Sequence, residues 1–362
     1  GKGSGYIMKL QKYYKYWRYV ANLVKGRLLK QTFPLEATFA VTNRCNINCV
    51  YCYGNYPERS DKDIPLENIL SAIDEMYSMG LRFIHVSGGE ALTRRDIGDI
   101  LRYIKKKNIL LEIITNGVIT LKHLPLLKET LDFICISIDG NEQITDGNRG
   151  TGVYRKALET VRACRDAGIV TRVNGVLSEK TVDTLEHLIH LAAQENFLLS
   201  FNLPYGSMSA DRTKSMPFHD KKMRDGIKKI LDYKRRGYPI NFSQSAYNYV
   251  LNWPVSLEEN RLDAEMVQKY GLKPPSCYYG RFICVIDANG DVYPCTHLLS
   301  EPDFKPKNFV KDGFRAAWEN LELSHRCIAC TDLSFTDHNM MMSLMPAAFL
   351  NQFFNALRVN KS

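Results

Sequence analysis

Cys45, Cys49 and Cys52 stand in the run Cys45-Asn-Ile-Asn-Cys49-Val-Tyr-Cys52, a C-x3-C-x2-C spacing just after an apolar stretch. Three thiolates on one short loop can each hold one iron of a cubane and leave the fourth iron without a protein ligand. A zinc site completes a tetrahedron from four Cys or His side chains, and no histidine lies between Arg44 and Tyr53. The triad therefore points to a cluster that offers one iron to a second molecule. Zinc, or a cluster used only for electron transfer, is the plainer alternative.

Further polar groups recur at strand ends. Ser87-Gly88-Gly89-Glu90 follows the apolar run Phe83-Ile-His-Val86, and its glycine carbonyls with the Glu90 carboxylate form an acceptor set suited to an ammonium group. Thr115-Asn116-Gly117 closes a strand ending at Ile114, and Ser137-Ile-Asp139-Gly140 closes one from Phe133 to Ile136. Together with the triad, these motifs resemble the radical S-adenosylmethionine (SAM) superfamily, which often has proline where this chain has Ala91. The resemblance implies that the open iron of a [4Fe-4S] cluster binds SAM. It implies reductive cleavage of SAM to a 5'-deoxyadenosyl radical, which acts on an unactivated carbon. By the same resemblance Ser87, Gly88, Gly89 and Glu90 receive the SAM amino group. Asn116, Ser137 and Asp139 contact its ribose or carboxylate, Arg149 pairs with the carboxylate, and Tyr51 stacks near adenine.

Five cysteines come late. Cys277 and Cys295 flank a hairpin signature, an apolar run from Phe282 to Ile286 followed by the turn Asp287-Ala-Asn-Gly290, and Cys327-Ile-Ala-Cys330 supplies a C-x2-C pair. This arrangement resembles the Twitch domain, the shorter relative of the SPASM domain. It implies one auxiliary [4Fe-4S] cluster held by Cys277, Cys295, Cys327 and Cys330, with a four-cysteine zinc site as the rival. Cys284 is read as a buried strand residue, with an alternative ligand or a hydrogen-atom donor as its functional readings. Cys135 and Cys164 read as core or barrel lining.

What must position these groups is legible in the apolar periodicity. Strand-like runs lie near 37–41, 83–86, 110–114, 133–138, 170–177 and 198–203, separated by helical patterns such as 65–77, 154–167 and 181–193. Six strands alternating with helices predict a partial (β/α)6 TIM-like barrel, with chemistry at the carboxyl ends of the strands. The expected organisation is a basic amphipathic segment over 1–34, the barrel over 35–205, a linking helical segment over 206–270, the auxiliary domain over 271–335 and an apolar segment over 336–362.

The 362 residues carry a formal charge of +9, much of it between Lys9 and Lys30, where lysines and arginines alternate with Tyr13, Tyr14, Tyr16, Trp17 and Tyr19 and no acidic residue occurs. Such a segment suits an anionic membrane interface or, equally, packing on the chain's own barrel. Gly1 to Ile7 reads as an expression remnant. No secretory signal accompanies the ten cysteines, so the expected location is the cytoplasm, with peripheral contact to the inner membrane face. No nucleic-acid module is visible. The expected partners are a reductant such as flavodoxin or ferredoxin and a small-molecule or lipid substrate. The region 204–275, with the late cysteines, loosely resembles the adenosyl-hopene transferase branch, which favours a lipid. The alternatives are a soluble dehydrogenase or epimerase of a sugar or aminocyclitol, a peptide-modifying enzyme and a non-enzymatic iron-sulfur protein.

Overall fold

The computed structural model describes residues 2–204, 218–299, 301–323 and 327–358; among these, the side chains of 2–10, 322, 323, 327, 353, 354 and 356–358 are outside the description. Six parallel strands, β1 (Glu36–Ala40), β2 (Phe83–Ser87), β3 (Leu110–Thr115), β4 (Phe133–Ser137), β5 (Val170–Val176) and β6 (Leu198–Asn202), lie side by side in chain order. Helices run between them, among them Leu66–Met79, Ile97–Lys106 and Val153–Asp166. Parallel neighbours need such crossovers. The helix expected over 181–193 is instead two pieces, Glu179–Val182 and Leu185–Gln194, the first closed by a Ser178–Thr181 capping box.

Alternation along each strand divides the molecule into two layers. Ala37, Phe39, Ile84, Val86, Leu111, Ile113, Ile134, Ile136, Val173, Leu199 and Phe201 point outward into the main apolar core that the helices cover. The intervening residues point inward and line one cavity.

The late hairpin does not form a sheet of its own. β8 (Ile283–Ile286) pairs in parallel with β1, β9 (Asp291–Tyr293) returns antiparallel, and β10 (Lys307–Asn308) follows, giving one nine-stranded sheet. The turn is the expected one: Gly290 has φ +95 and its N–H bonds Asp287 O at 2.9 Å. β7 (Arg261–Asp263) and β11 (Cys327–Cys330) form a separate antiparallel pair.

The basic aromatic segment is a helix, α1 (Lys2–Leu28), laid across the amino-terminal end of the barrel. Lys15 reaches the Asp132 carboxylate at 2.7 Å, Tyr19 donates to Glu36, and Tyr16 meets Phe133 edge-on. Packing on the barrel therefore takes the Lys15, Tyr16, Tyr19 and Leu23 face, while Tyr13, Tyr14 and Trp17 remain exposed. At the other end, the apolar segment forms helices Leu333–Met342 and Pro346–Arg358. Among the described residues no helix is long and apolar enough to cross a membrane.

Candidate active site

The cysteine loop leaves β1 at the carboxyl end of the barrel and is anchored from two sides. The first anchor is the loop after β2. Gly89 N–H bonds Thr42 O at 2.9 Å and Glu90 N–H bonds Arg44 O at 2.8 Å, so the residues leading into Cys45 are held by the Gly-Gly-Glu turn. A Cβ on Gly88 would stand 2.5 Å from Thr42 O, and one on Gly89 would stand 2.6 Å from Arg44 O. The glycines are needed for this backbone approach, a reason the sequence alone had assigned to a ligand. Gly89→Ala is expected to push the cysteine loop away, lowering stability by about 1–3 kcal/mol; thermal melting and iron content of the reconstituted variant check it.

Glu90 is buried behind this turn and does not line the cavity. Its carboxylate accepts from Leu92 N–H at 3.2 Å, Thr115 Oγ1 at 2.9 Å and Asn116 N–H at 2.8 Å. Burial raises its pKa against these bonds. Asn116 in turn donates to Asn46 Oδ1, between the first two cysteines, at 2.8 Å.

The second anchor is Asp139, which is fully buried. It accepts from Tyr51 Oη, from Asn148 Nδ2 at 3.2 Å, from Arg149 Nε and Nη2 at 3.0 and 2.9 Å, and from Val176 N–H at 3.1 Å. The Arg149 guanidinium lies 5.4 Å from the Tyr51 ring centroid, and Val50 N–H bonds Asn148 O at 3.0 Å. Arg149 is thus committed to Asp139, and Asp139 to the cysteine loop.

Cys45, Cys49, Cys52, Tyr51, Ser87, Gly88, Gly89, Asn116, Ser137 and Arg149 line a single cavity of about 810 Å3. Burial, with Cys49, Glu90 and Cys52 adding negative charge nearby, pushes the Cys45 thiol up to about 12 even though the Ile47 backbone opposes it. Crowded buried thiols of this kind become thiolates when a metal supplies the opposing charge. Ser87 Oγ, also on the wall, is buried with no hydrogen-bond partner. The donor set fits a cubane with SAM beside it. Among the described residues no three Cys, His, Asp or Glu side chains converge to hold a single metal ion; a cubane takes one thiolate per iron and needs no such convergence.

The late cysteines gather too. Cys277 and Cys295 share an apolar cluster, and the Cys330 thiol is raised by burial and by the nearby Asp332, Cys277 and Cys295. Cys327 falls in β11 with its side chain outside the described residues. Thr296 and Asp332, next to Cys295 and Cys330, line the same cavity. Cys284 is fully buried in the main core and is absent from the cavity wall, whereas Cys135 is on it.

Deeper in the barrel lies a charged layer the motif reading missed: His85, Glu112 and Arg172, with Glu36 below and Asn174 and Ser200 nearby. The available signal was a polar residue at alternate positions of otherwise apolar strands. His85 Nδ1 is 2.7 Å from Glu112 Oε2 and its Nε2 is 3.5 Å from Glu36 Oε2. Burial lowers its pKa, but the hydrogen bonds and charges of Glu112 and Glu36 outweigh this and lift it to about 9. A histidine pKa raised on folding contributes stability that is complete below its ordinary value of about 6.5 and is lost as pH rises through about 9. The melting temperature is expected to fall across that window, and His85→Gln to flatten the fall.

Fold and site define a partial barrel whose three-cysteine loop, at the carboxyl ends of its strands, fits a cluster. Residues 39–192 match the sequence profile of the Radical SAM superfamily. The mycofactocin maturase MftC of Mycolicibacterium smegmatis is 25% identical over 304 residues, covering 80% of this chain and 71% of that protein. The PqqA peptide cyclase of Bradyrhizobium diazoefficiens is 27% identical over 320 residues, covering 84% and 78%. The structure of Streptococcus suis SuiB bound to precursor peptide SuiA superposes with a TM-score of 0.64 at 15% identity, over 82% of this chain and 67% of that one. The chain belongs to the radical SAM superfamily and is a radical SAM enzyme, using a [4Fe-4S] cluster, SAM and a reductant.

Proposed function

We propose that this enzyme modifies a peptide, with Cys45, Cys49 and Cys52 holding the SAM-binding cluster and SAM lying along Ser87, Gly88, Gly89, Asn116, Ser137, Tyr51 and Arg149. When bound, the cluster and SAM supply a 5'-deoxyadenosyl radical. The chain's own part is to orient that source toward the barrel interior and to keep water and competing hydrogen donors out. An auxiliary [4Fe-4S] cluster on Cys277, Cys295, Cys327 and Cys330 would border the same chamber.

The carrying observation is the chamber itself, which continues from the cysteine loop down to the His85, Glu112 and Arg172 layer. SAM, at drug size, takes roughly half of such a volume, and what remains has a mostly apolar and aromatic wall in which His85, Glu112, Arg172, Asn174 and Asn241 set charges and amides. Those charges and amides find partners in a peptide's backbone and polar side chains, whereas a polycyclic hydrocarbon would leave them buried and unpaired. The resemblance to a peptide cyclase over most of the chain supports the same substrate class. The lipid expectation loses its main support because much of the basic segment packs on the barrel.

The test is anaerobic incubation of reconstituted protein, dithionite and SAM with short peptides encoded beside its gene. Deuterium passing from a labelled peptide into 5'-deoxyadenosine, with a mass change in the peptide, is the expected result. Stimulation by a sugar or isoprenoid where peptides fail would overturn it. Iron analysis is expected to give about eight irons per chain, against about four and one zinc if the late cysteines bind zinc.

One observation favours membrane contact as a second reading: Tyr13, Tyr14 and Trp17 are exposed rings on α1, the last 68% exposed, with Tyr13 and Trp17 also bordering the cavity and no acidic residue nearby in the segment. Flotation with vesicles containing phosphatidylglycerol, lost in Trp17→Ser, checks it.

A further inference from the structure

At the amino-terminal end of the chamber, α1 places Lys12 against the barrel interior, and Lys12 lines the cavity beside the exposed rings of Tyr13 and Trp17. Its ammonium has three donors. Its hydrogen bond is a long one, 3.5 Å, to the backbone oxygen of Asp132, and it stands 4.9 Å from the centroid of the Phe133 ring. The Asp132 carboxylate does not compensate it closely, because Oδ2 already takes Lys15 Nζ at 2.7 Å and Leu111 N–H at 3.0 Å. Arg172 stands on the same ring, 4.5 Å from its centroid, and its Nε is buried with no hydrogen-bond partner. Glu112 is shared between Arg172, at 3.3 Å, and His85.

The charges can be counted around this end. Lys15 and Asp132 close on each other, and protonated His85 and Arg172 offset Glu36 and Glu112. Among the described residues Lys12 is the surplus, and His338, on the same wall and near enough for its charge to act on Glu36 and Glu112, stands on the cationic side of the balance as well. An underpaired cation in a low-dielectric chamber costs stability unless an anion arrives.

Resting on the peptide reading, we propose that the amino-terminal end of the barrel is a carboxylate subsite, in which Lys12, with Arg172 beside it, receives a carboxylate of the substrate. The substrate then lies with its carboxylate at this end, and the carbon presented to the SAM end lies further along the same segment. The carboxylate can come from an acidic side chain or from a peptide carboxyl terminus, since both present the same two oxygens.

Lys12 also reports on its own occupancy. Burial, with Arg172 and Lys15 adding to it against the opposing charge of Asp132, brings its pKa down to about 8. A bound carboxylate would restore the ordinary value near 10.5, cutting the free amine at pH 8 by about a hundredfold. The experiment is trace acetylation of the cluster-reconstituted, SAM-loaded protein with isotopic acetic anhydride, read at Lys12 against exposed Lys25 by peptide mass spectrometry. Three probes are compared: acetyl-glutamate methylamide, with only a side-chain carboxylate; acetyl-glutamine, with only an α-carboxylate; and neutral acetyl-glutamine methylamide. Slowing of Lys12 labelling by about tenfold or more with one of the charged probes, and none with the neutral one, is the expected result. Which charged probe protects identifies the source. Equal labelling with all three probes, or equal protection by the neutral probe, overturns the proposal. This readout needs no turnover, so its failure is separate from a failure of peptides to support 5'-deoxyadenosine formation.

Discussion

Cys49→Ala is expected to abolish 5'-deoxyadenosine formation from SAM and dithionite while leaving the fold intact. Cys49 is the middle cysteine of the loop, on the cavity wall with Cys45, Cys52 and Arg149, and Arg149 lies near enough for its charge and that of Cys49 to interact. Two remaining thiolates cannot hold a cubane against solvent, and an open iron with no cluster behind it has nothing to offer SAM. Iron is expected to drop from about eight per chain to about four, and the melting temperature to change little in the apo protein, because Thr42, Arg44, Asn148 and Asp139 anchor the loop on both sides. Residual 5'-deoxyadenosine above that of cluster-free protein would overturn the assignment of the triad to the SAM-binding cluster.

The barrel was legible because its strands are short apolar runs at near-regular intervals, and each observed strand lies within two residues of its expected bounds. The cysteine loop was legible because thiol spacing constrains chemistry more tightly than most motifs do. What was not legible depends on residues far apart in the chain. That β8 would pair with β1 follows from a register between Glu36 and Ile283 that no local pattern encodes. That α1 would turn Lys15 inward depends on Asp132 lying at the foot of β4. The charged interior was present as His85, Glu112 and Arg172 in three separate strands, each unremarked alone. It becomes a site only when β2, β3 and β5 curve around a common lumen.

The polar groups at strand ends carry the sharpest lesson, and Asp139 tests it. The family resemblance makes Asp139 a SAM contact, whereas its oxygens are occupied by Tyr51, Asn148, Arg149 and the Val176 amide, and it is absent from the cavity wall. Asp139→Ala leaves the buried Arg149 guanidinium without its counter-charge, which is expected to destabilise the protein by about 3–5 kcal/mol. Asp139→Asn keeps the shape but not the charge and is expected to fall between the two. Because Tyr51 sits between Cys49 and Cys52, the looser loop should also broaden the electron paramagnetic resonance signal of the reduced cluster and weaken SAM binding by about tenfold or more, as losses behind a metal ligand commonly do. The two roles separate cleanly. If Asp139 positions the loop, melting temperature, cluster signal and SAM affinity change together, and Tyr51→Phe reproduces part of the change. If Asp139→Asn weakens SAM while the melting temperature and SAM-free cluster signal stay as in the unaltered protein, Asp139 contacts SAM directly and the anchoring role is wrong.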